Sequence, residues 1–133
     1  MTLRVLLMGA SGVFGSRIAR ELAHDLRFAL PLAGRQRASL QRLRESLGDP
    51  SIQVAALDVG AAELPATIAS LRPQLVIHAA GPFQQQDYRV AEACLACGSD
   101  YVDLADGRDF VSGIGRLDGQ AQAAGRLLVS GAS

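Results

Sequence analysis

Short apolar runs alternate with longer amphipathic segments along the whole chain, and this alternation constrains the fold more than any other feature. Six short runs, each flanked by Gly, Pro or polar residues, have the length and composition of buried strands. They span residues 3–8, 27–33, 52–57, 75–79, 101–104 and 127–130. Strands that alternate with helices in this way favour an open, mostly parallel sheet.

Five segments with apolar residues three and four positions apart predict the intervening helices. The fourth helix in chain order is predicted to run from an N-cap at Asp87 to Gly98. The other four are marked by their apolar positions, which are Phe14, Ile18 and Leu22; Leu40, Leu43 and Leu47; Leu64, Ile68 and Leu71; and Ile114, Leu117 and Ala121. Right-handed crossovers then give an α/β fold, a doubly wound parallel six-stranded sheet with helices on both faces. The expected strand order is 3-2-1-4-5-6, with ligands bound outside the carboxyl ends of the strands.

The basic residues of the chain are all arginine, and this excludes several chemistries. Without lysine the chain cannot form the Gly-Lys-Ser/Thr loop that binds nucleoside triphosphates. Schiff-base catalysis and a tyrosine–lysine proton relay are excluded for the same reason. The 133 residues fit a single domain, and the net charge of zero argues against a nucleic-acid partner.

No apolar run is long enough to suggest a membrane span, and the N-terminus lacks the pattern of an export signal. We therefore expect a cytoplasmic protein whose two cysteines are reduced. Cys94 and Cys97 form a C-x-x-C pair late in a predicted helix, where thiolates are not stabilised. No second pair or nearby histidine completes a zinc set, so we interpret them as core residues and predict no metal site.

The loop after the first predicted strand is rich in glycine and opens a helix, which is the context of a dinucleotide-binding loop. Gly9 suits a tight turn, Gly12 suits close approach of a pyrophosphate, and Gly15 suits close helix–sheet packing. The backbone amides of Val13 and Phe14 would face the phosphates, with the Ser11 hydroxyl as a further donor. The spacing is G-x-x-G-x-x-G, so the first glycine is displaced by one from the usual fingerprint.

The second predicted strand ends at Gly34 and Arg35, where enzymes that use NAD usually carry an acidic residue. A guanidinium pairs well with the 2′-phosphate of NADP, and Arg37 or Ser39 could assist. The alternative is that Arg35 is a solvated residue at the start of a helix. The sequence favours NADP over NAD.

Carboxylates follow the third and fifth predicted strands. Asp58 could accept a hydrogen bond from the adenine amino group, or it could cap the next helix. Asp103 and Asp106 lie near the edge where nicotinamide and substrate would meet, and they are candidates for orienting a substrate or exchanging a proton. Turn and capping roles suit both residues equally well.

The fourth predicted strand runs into small residues that would let a nicotinamide and its ribose lie close to the backbone. These are Ala80, Gly81 and Pro82, and Phe83 could form a wall of the cofactor pocket. His78 lies within the strand and has no partner that the sequence identifies, so we favour a structural role for it over acid–base chemistry.

Several of these segments together resemble the NADP-binding N-terminal domain of the saccharopine dehydrogenase-like family. They are the glycine loop 9–15, Ala-Gly-Arg at 33–35, Ala-Ala-Gly-Pro-Phe at 79–83, Tyr-Val-Asp-Leu at 101–104 and Ser-Gly-Ala-Ser at 130–133. The resemblance implies a Rossmann domain that positions NADP for hydride transfer to a carbonyl or imine. It also implies a separate substrate domain, which we expect to lie beyond this chain, and it leaves open whether this chain alone is active.

Short-chain dehydrogenases share the glycine spacing, but their catalytic Tyr-x-x-x-Lys pair is impossible here. Tyr88 is followed four places on by Glu92, and Tyr101 by Ala105. The alternative function is therefore a non-catalytic module of that fold, which senses NADP without reacting with it.

Overall fold

The computed structural model describes residues 2–132, which form one parallel sheet covered by helices. The strands are β1 (Leu3–Met8), β2 (Phe28–Ala29), β3 (Leu32–Gly34), β4 (Val54–Ala56), β5 (Leu75–His78), β6 (Asp100–Asp103) and β7 (Leu128–Val129). Their order is β4-β3-β1-β5-β6-β7, and β2 also pairs with β1. The described strand pairs are all parallel, as the alternating sequence pattern predicts.

The second predicted strand is divided in two, so the described part of the chain has seven strands rather than six. Leu3 of β1 lies opposite Phe28, and Leu7 lies opposite Leu32, so both pieces pair with the same strand. Pro31 lies between them and has no N–H to donate to a ladder, which explains the interruption. If β2 and β3 are counted as one strand, the order 3-2-1-4-5-6 is confirmed.

The helices are α1 (Val13–Leu22), α2 (Arg37–Leu47), α3 (Leu64–Leu71), α4 (Arg89–Cys97), α5 (Arg108–Gly113) and α6 (Asp118–Ala124). The fifth helix was predicted as one continuous element, and this was wrong. A 3₁₀ turn at Ile114–Leu117 separates α5 from α6. The predicted N-cap at Asp87 was also wrong. Tyr88 is the N-cap of α4, and the Asp87 carboxylate instead accepts a hydrogen bond from the Arg89 backbone N–H.

Alternate residues of β1 point to opposite faces of the sheet and enter two separate apolar clusters. Leu6 and Met8 pack with α3 and α4, whereas Val5 and Leu7 pack with α1 and α2. All four side chains are almost completely buried. The sheet is therefore the middle layer of a three-layer αβα fold, as predicted.

The direction of the crossovers reverses between β1 and β5, which are hydrogen-bonded neighbours. The chain leaves β1 through α1 toward β3, and later returns through α3 to β5 on the other side of β1. Loops diverge at such a reversal and leave a crevice at the carboxyl ends of the strands. Within residues 2–132 no helix combines the length and the hydropathy needed to cross a membrane.

Candidate cofactor site

A cleft of about 920 Å³ lies along the carboxyl edge of the sheet. Its floor is the loop after β1, including Gly9, Ser11 and Gly12. One side is formed by residues that follow β3 and β4, and the other by the segment after β5. The cleft thus crosses the reversal between β1 and β5, where the fold predicts a ligand.

The glycine loop is packed so closely that side chains would not fit at two of its positions. Gly9 has φ of 73°, and a β-carbon on it would lie 2.7 Å from the carbonyl carbon of Ala79. A β-carbon on Gly15 would collide with the carbonyl oxygen of Gly9. Both glycines therefore bring backbone segments into contact, and the loop stays flat beneath the cleft.

The N-terminus of α1 opens at this loop, with Gly12 as an N-cap that has no side chain to satisfy the first amides. The Ser16 N–H donates to the Gly12 carbonyl at 2.9 Å and closes the first turn. The backbone N–H groups of Val13 and Phe14 lie in the first turn, before the first hydrogen bond of the helix, and have no acceptor within it. Such amides at the positive end of a helix suit a phosphate, whereas the two side chains are mostly exposed to solvent.

Gly34, Arg35 and Asp58 line the side of the cleft formed by β3 and β4. The Arg35 side chain is exposed, and Ser11 Oγ lies 3.8 Å from the position a β-carbon would take on Gly34. Asp58 does not cap the next helix, because α3 begins at Leu64 with Glu63 as its N-cap. The Asp58 carboxylate instead accepts the Gly60 N–H at 3.0 Å, which holds it in the loop at the cleft wall.

Ala80, Gly81 and Pro82 line the opposite side of the cleft, and the Gly81–Pro82 peptide bond is cis. We expected Phe83 to form a wall of the cleft, but its side chain is buried in the core. Its ring packs edge-on against His78 at 4.7 Å and against Phe110 at 5.4 Å between ring centroids. The cleft wall here is consequently backbone and small side chains.

His78 is 1% exposed and lies beneath this segment, and burial lowers the pKa of its imidazole. Its Nε2 is 2.9 Å from Gln86 Oε1, and the Gln86 amide also donates to the carbonyl oxygens of Ala80 and Pro82. Sequence reasoning favoured a structural role for His78 but missed Gln86. No spacing rule connects a strand histidine with a glutamine eight residues later in a loop.

Asp103 is fully buried at the end of β6. Its carboxylate accepts hydrogen bonds from the Tyr101 and Ser130 hydroxyls and from the backbone N–H groups of Ala105 and Gly131. These partners leave no oxygen facing the cleft, so Asp103 has a structural role rather than the substrate contact considered above. Asp106 is exposed, and its carboxylate accepts a hydrogen bond from Gln84, a residue of the cleft wall, at 3.2 Å.

Sequence reasoning also missed Asp87 and Arg89, which line one end of the cleft. Arg89 Nε lies 2.8 Å from an oxygen of Asp87, and this hydrogen bond lowers the pKa of the Asp87 carboxyl to about 2.

Outside the cleft, Cys94 is buried in α4, and burial raises the pKa of its thiol. Cys94 is therefore a core residue without thiolate reactivity.

The profile of the family described as "Saccharopine dehydrogenase NADP binding domain" matches residues 5–129. The chain belongs to this family. Membership makes it an NADP(H)-binding domain of the kind found in oxidoreductase-like proteins, in agreement with the resemblance of its motifs.

This member of the family is similar to curated proteins and solved structures that are much longer. A trans-acting enoyl reductase of Mycobacterium leprae is 35% identical over 103 residues, which are 75% of this chain and 24% of that protein. The chain thus spans about a quarter of the length of the curated relatives it matches.

Two yeast structures show the same fold. Saccharopine dehydrogenase (L-Glu forming) from Saccharomyces cerevisiae superposes with a TM-score of 0.73 at 20% identity, covering 98% of this chain and 27% of that one. Yeast methylglyoxal/isovaleraldehyde reductase, solved with NADPH, gives a TM-score of 0.78 at 13% identity, covering 96% of this chain and 53% of that one.

The residues of this NADP-binding domain fit a dinucleotide. The cleft runs from Arg35 across the glycine loop to Pro82, and the side chain that the loop itself contributes to the described floor is that of Ser11. Close backbone packing at Gly9 and Gly15 leaves no room for a side chain at those two positions. Arg35 and Asp58 lie on one side of the cleft and Ala80, Gly81 and Pro82 on the other, with Asp87 and Arg89 also in the lining. The close-packed glycines and the first amides of α1 suit the diphosphate of a dinucleotide.

Proposed function

We propose that this chain binds NADP(H) in preference to NAD(H) and supplies the cofactor half of an oxidoreductase whose substrate is bound by residues outside the chain. The observation that carries the proposal is the cleft across the reversal between β1 and β5, with the close-packed glycine loop as its floor and Arg35 in its wall. Gly9, Ser11, Gly12 and Gly15 would hold the pyrophosphate, together with the first amides of α1.

The preference for NADP rests on the end of β3. The described wall at this end contains Arg35, and the nearest carboxylate along the wall is Asp58, which follows the next strand of the sheet. An exposed guanidinium binds a 2′-phosphate through paired, charge-assisted hydrogen bonds. A ribose with free hydroxyls offers it no such partner. Asp58 is placed to accept a hydrogen bond from the adenine amino group.

The bound nicotinamide would supply a hydride from its C4 atom to an unsaturated carbon of the substrate. Ala80, Gly81 and Pro82 would position the ring. The ionisable residues of the described cleft lining are Arg35, Asp58, Asp87 and Arg89, and this lining contains no histidine, cysteine, tyrosine or lysine. The proton donor would then come from outside the chain, and Asp106, which accepts a hydrogen bond from Gln84 of the cleft wall, would orient the substrate. The name of the curated relatives favours an enoyl double bond over a carbonyl or imine.

The proposal is tested by titrating the chain with NADPH and with NADH in a calorimeter. We expect saturable binding of NADPH, weaker binding of NADH, and no loss of absorbance at 340 nm when small carbonyl or enoyl compounds are added. Binding of neither nucleotide would refute the cofactor role. Steady turnover by this chain alone would refute the proposal that the substrate is bound by residues outside the chain.

The second candidate function is NADP sensing without catalysis, favoured by a described cleft lining that contains no histidine, cysteine, tyrosine or lysine. A sensor must distinguish the reduced from the oxidised cofactor. Equal affinities of the chain for NADPH and NADP⁺ would therefore count against sensing, because occupancy would carry no redox information.

A further inference from the structure

The cleft wall after β5 is held by two side chains, those of His78, which is buried behind the wall, and Gln86, which is half-buried and lies in the cleft lining. The segment contains Ala79, Ala80, Gly81 and Pro82, and none of these residues has a side chain long enough to anchor it. The Gln86 amide nitrogen donates to the Ala80 carbonyl at 2.6 Å and to the Pro82 carbonyl at 2.9 Å. One amide group thus binds the backbone on both sides of Gly81.

His78 fixes the orientation of that amide. The Ala80 N–H donates to His78 Nδ1 at 3.3 Å, so Nδ1 carries the lone pair and Nε2 carries the proton. Nε2 then donates to Gln86 Oε1 at 2.9 Å. A reversed amide would place its oxygen against two carbonyl oxygens, and only the observed arrangement pairs every donor with an acceptor.

The upstream end of the segment is held independently of this pair. The Ala79 N–H donates to the Met8 carbonyl at 2.9 Å, which continues the β1–β5 pairing. Ala79 also packs against Gly9, where a β-carbon would come within 2.7 Å. The floor of the cleft therefore does not depend on Gln86, whereas the wall from Ala80 to Pro82 does.

We propose that His78 and Gln86 are positioning residues for the nicotinamide half of the cofactor. They act through the backbone of Ala80 and Pro82, without contact to the adenosine half. This inference rests on the proposed function of the cleft. It predicts a selective defect, because loosening the wall leaves Arg35, the glycine loop and Asp58 in place.

The test compares two ligands, NADPH and adenosine 2′,5′-bisphosphate, which carries the phosphorylated adenosine half but lacks nicotinamide. Affinities of the full 133-residue chain are measured by calorimetry for the unmutated protein, Gln86→Ala and His78→Asn. His78→Asn keeps an acceptor for the Ala80 N–H but cannot reach Gln86. The matched control is Gln120→Ala, because Gln120 is an exposed residue of α6 outside the cleft lining.

We expect both variants to bind NADPH about tenfold more weakly, the effect of losing one or two net hydrogen bonds. Binding of adenosine 2′,5′-bisphosphate should stay within about twofold of the unmutated chain. Gln120→Ala should change neither affinity. An increase in the fluorescence of bound NADPH, which reports an ordered nicotinamide, should be smaller in the two variants.

Equal losses for both ligands would show that the pair supports the fold as a whole, and would overturn the inference. Unchanged affinities in both variants would overturn it as well. These results differ from failure of the proposed function, in which the unmutated chain itself binds neither ligand.

Discussion

Gly15 packs against the carbonyl oxygen of Gly9 so closely that a β-carbon on Gly15 would collide with that oxygen. We predict that Gly15→Ala lowers the free energy of unfolding by at least about 2 kcal/mol, because α1 must move away from the loop. It should also weaken NADPH binding. Urea unfolding and calorimetry measure the two effects.

Gly119 provides the matched control, because it lies in α6 and a β-carbon there would meet nothing within 4 Å. Gly119→Ala should raise the free energy of unfolding by about 0.5–1 kcal/mol, since alanine restricts the unfolded chain and favours a helix. The two substitutions should change the free energy of unfolding in opposite directions, and this difference in sign tests the packing. A destabilisation of similar size in both would contradict the packing described for Gly15.

Arg35→Ala tests the preference for NADP. We expect NADPH binding to weaken about tenfold to a hundredfold and NADH binding to change by less than about threefold, because only NADPH carries the 2′-phosphate. Calorimetry at constant ionic strength measures both. Arg126→Ala is the control, because Arg126 is exposed and lies outside the cleft lining. Equal weakening of both nucleotides in Arg35→Ala would exclude a specific contact with the phosphate.

Asp103→Ala should lower the free energy of unfolding by at least about 3 kcal/mol, because it leaves several donors at the end of β6 without an acceptor. Tyr101→Phe removes only one of these donors and should cost about 1 kcal/mol. Denaturant unfolding of both variants provides the comparison. If Asp103→Ala were as stable as Tyr101→Phe, the carboxylate would not organise this region.

The buried imidazole of His78 predicts a pH dependence of stability. Burial lowers the pKa of His78 in the folded chain below its ordinary value of 6.5, so the unfolded chain binds more protons just below that pH. The stabilising effect of neutral His78 is complete above pH 6.5 and is lost as the pH falls below it. Between pH 7.5 and 5.5 the loss should be at most about 1.4 kcal/mol, the limit for an imidazole that stays neutral in the folded chain.

His78→Asn should remove this difference between the two pH values, whatever its effect on stability at pH 7.5. Gln120→Ala changes an exposed, uncharged residue of α6 and should keep the pH dependence of the unmutated chain. Urea midpoints at pH 7.5 and 5.5 are the measurement. Retention of the full pH dependence by His78→Asn would assign it to other groups.

The features of this fold that follow from local patterns were predictable from the sequence. The alternation of apolar runs predicted the parallel sheet and its strand order, and the small-residue segments after β1, β3 and β5 line the cleft. Pro31 interrupted a strand that its apolar neighbours predicted as continuous. The glycines around Ile114 divided a predicted helix, because their low helix propensity competes with the apolar spacing.

Properties that depend on side-chain partners were not predictable. Asp103 and Asp106 are only three residues apart, yet one is buried and the other exposed, and only the return of Ser130 and Gly131 to β6 explains the difference. Gln86 has the composition of an ordinary loop residue. Its importance comes from facing two carbonyl oxygens and a histidine at once.

The strand end at Gly34 and Arg35 belongs to neither apolar cluster, and its charged side chain extends into solvent. We therefore expect substitutions at position 35 to leave the free energy of unfolding nearly unchanged. Gly9 and Gly15 offer no such freedom, because a β-carbon at either position would meet backbone atoms. The loop beneath the cleft is thus dictated by folding, whereas the charge at its rim can vary without a cost to the fold.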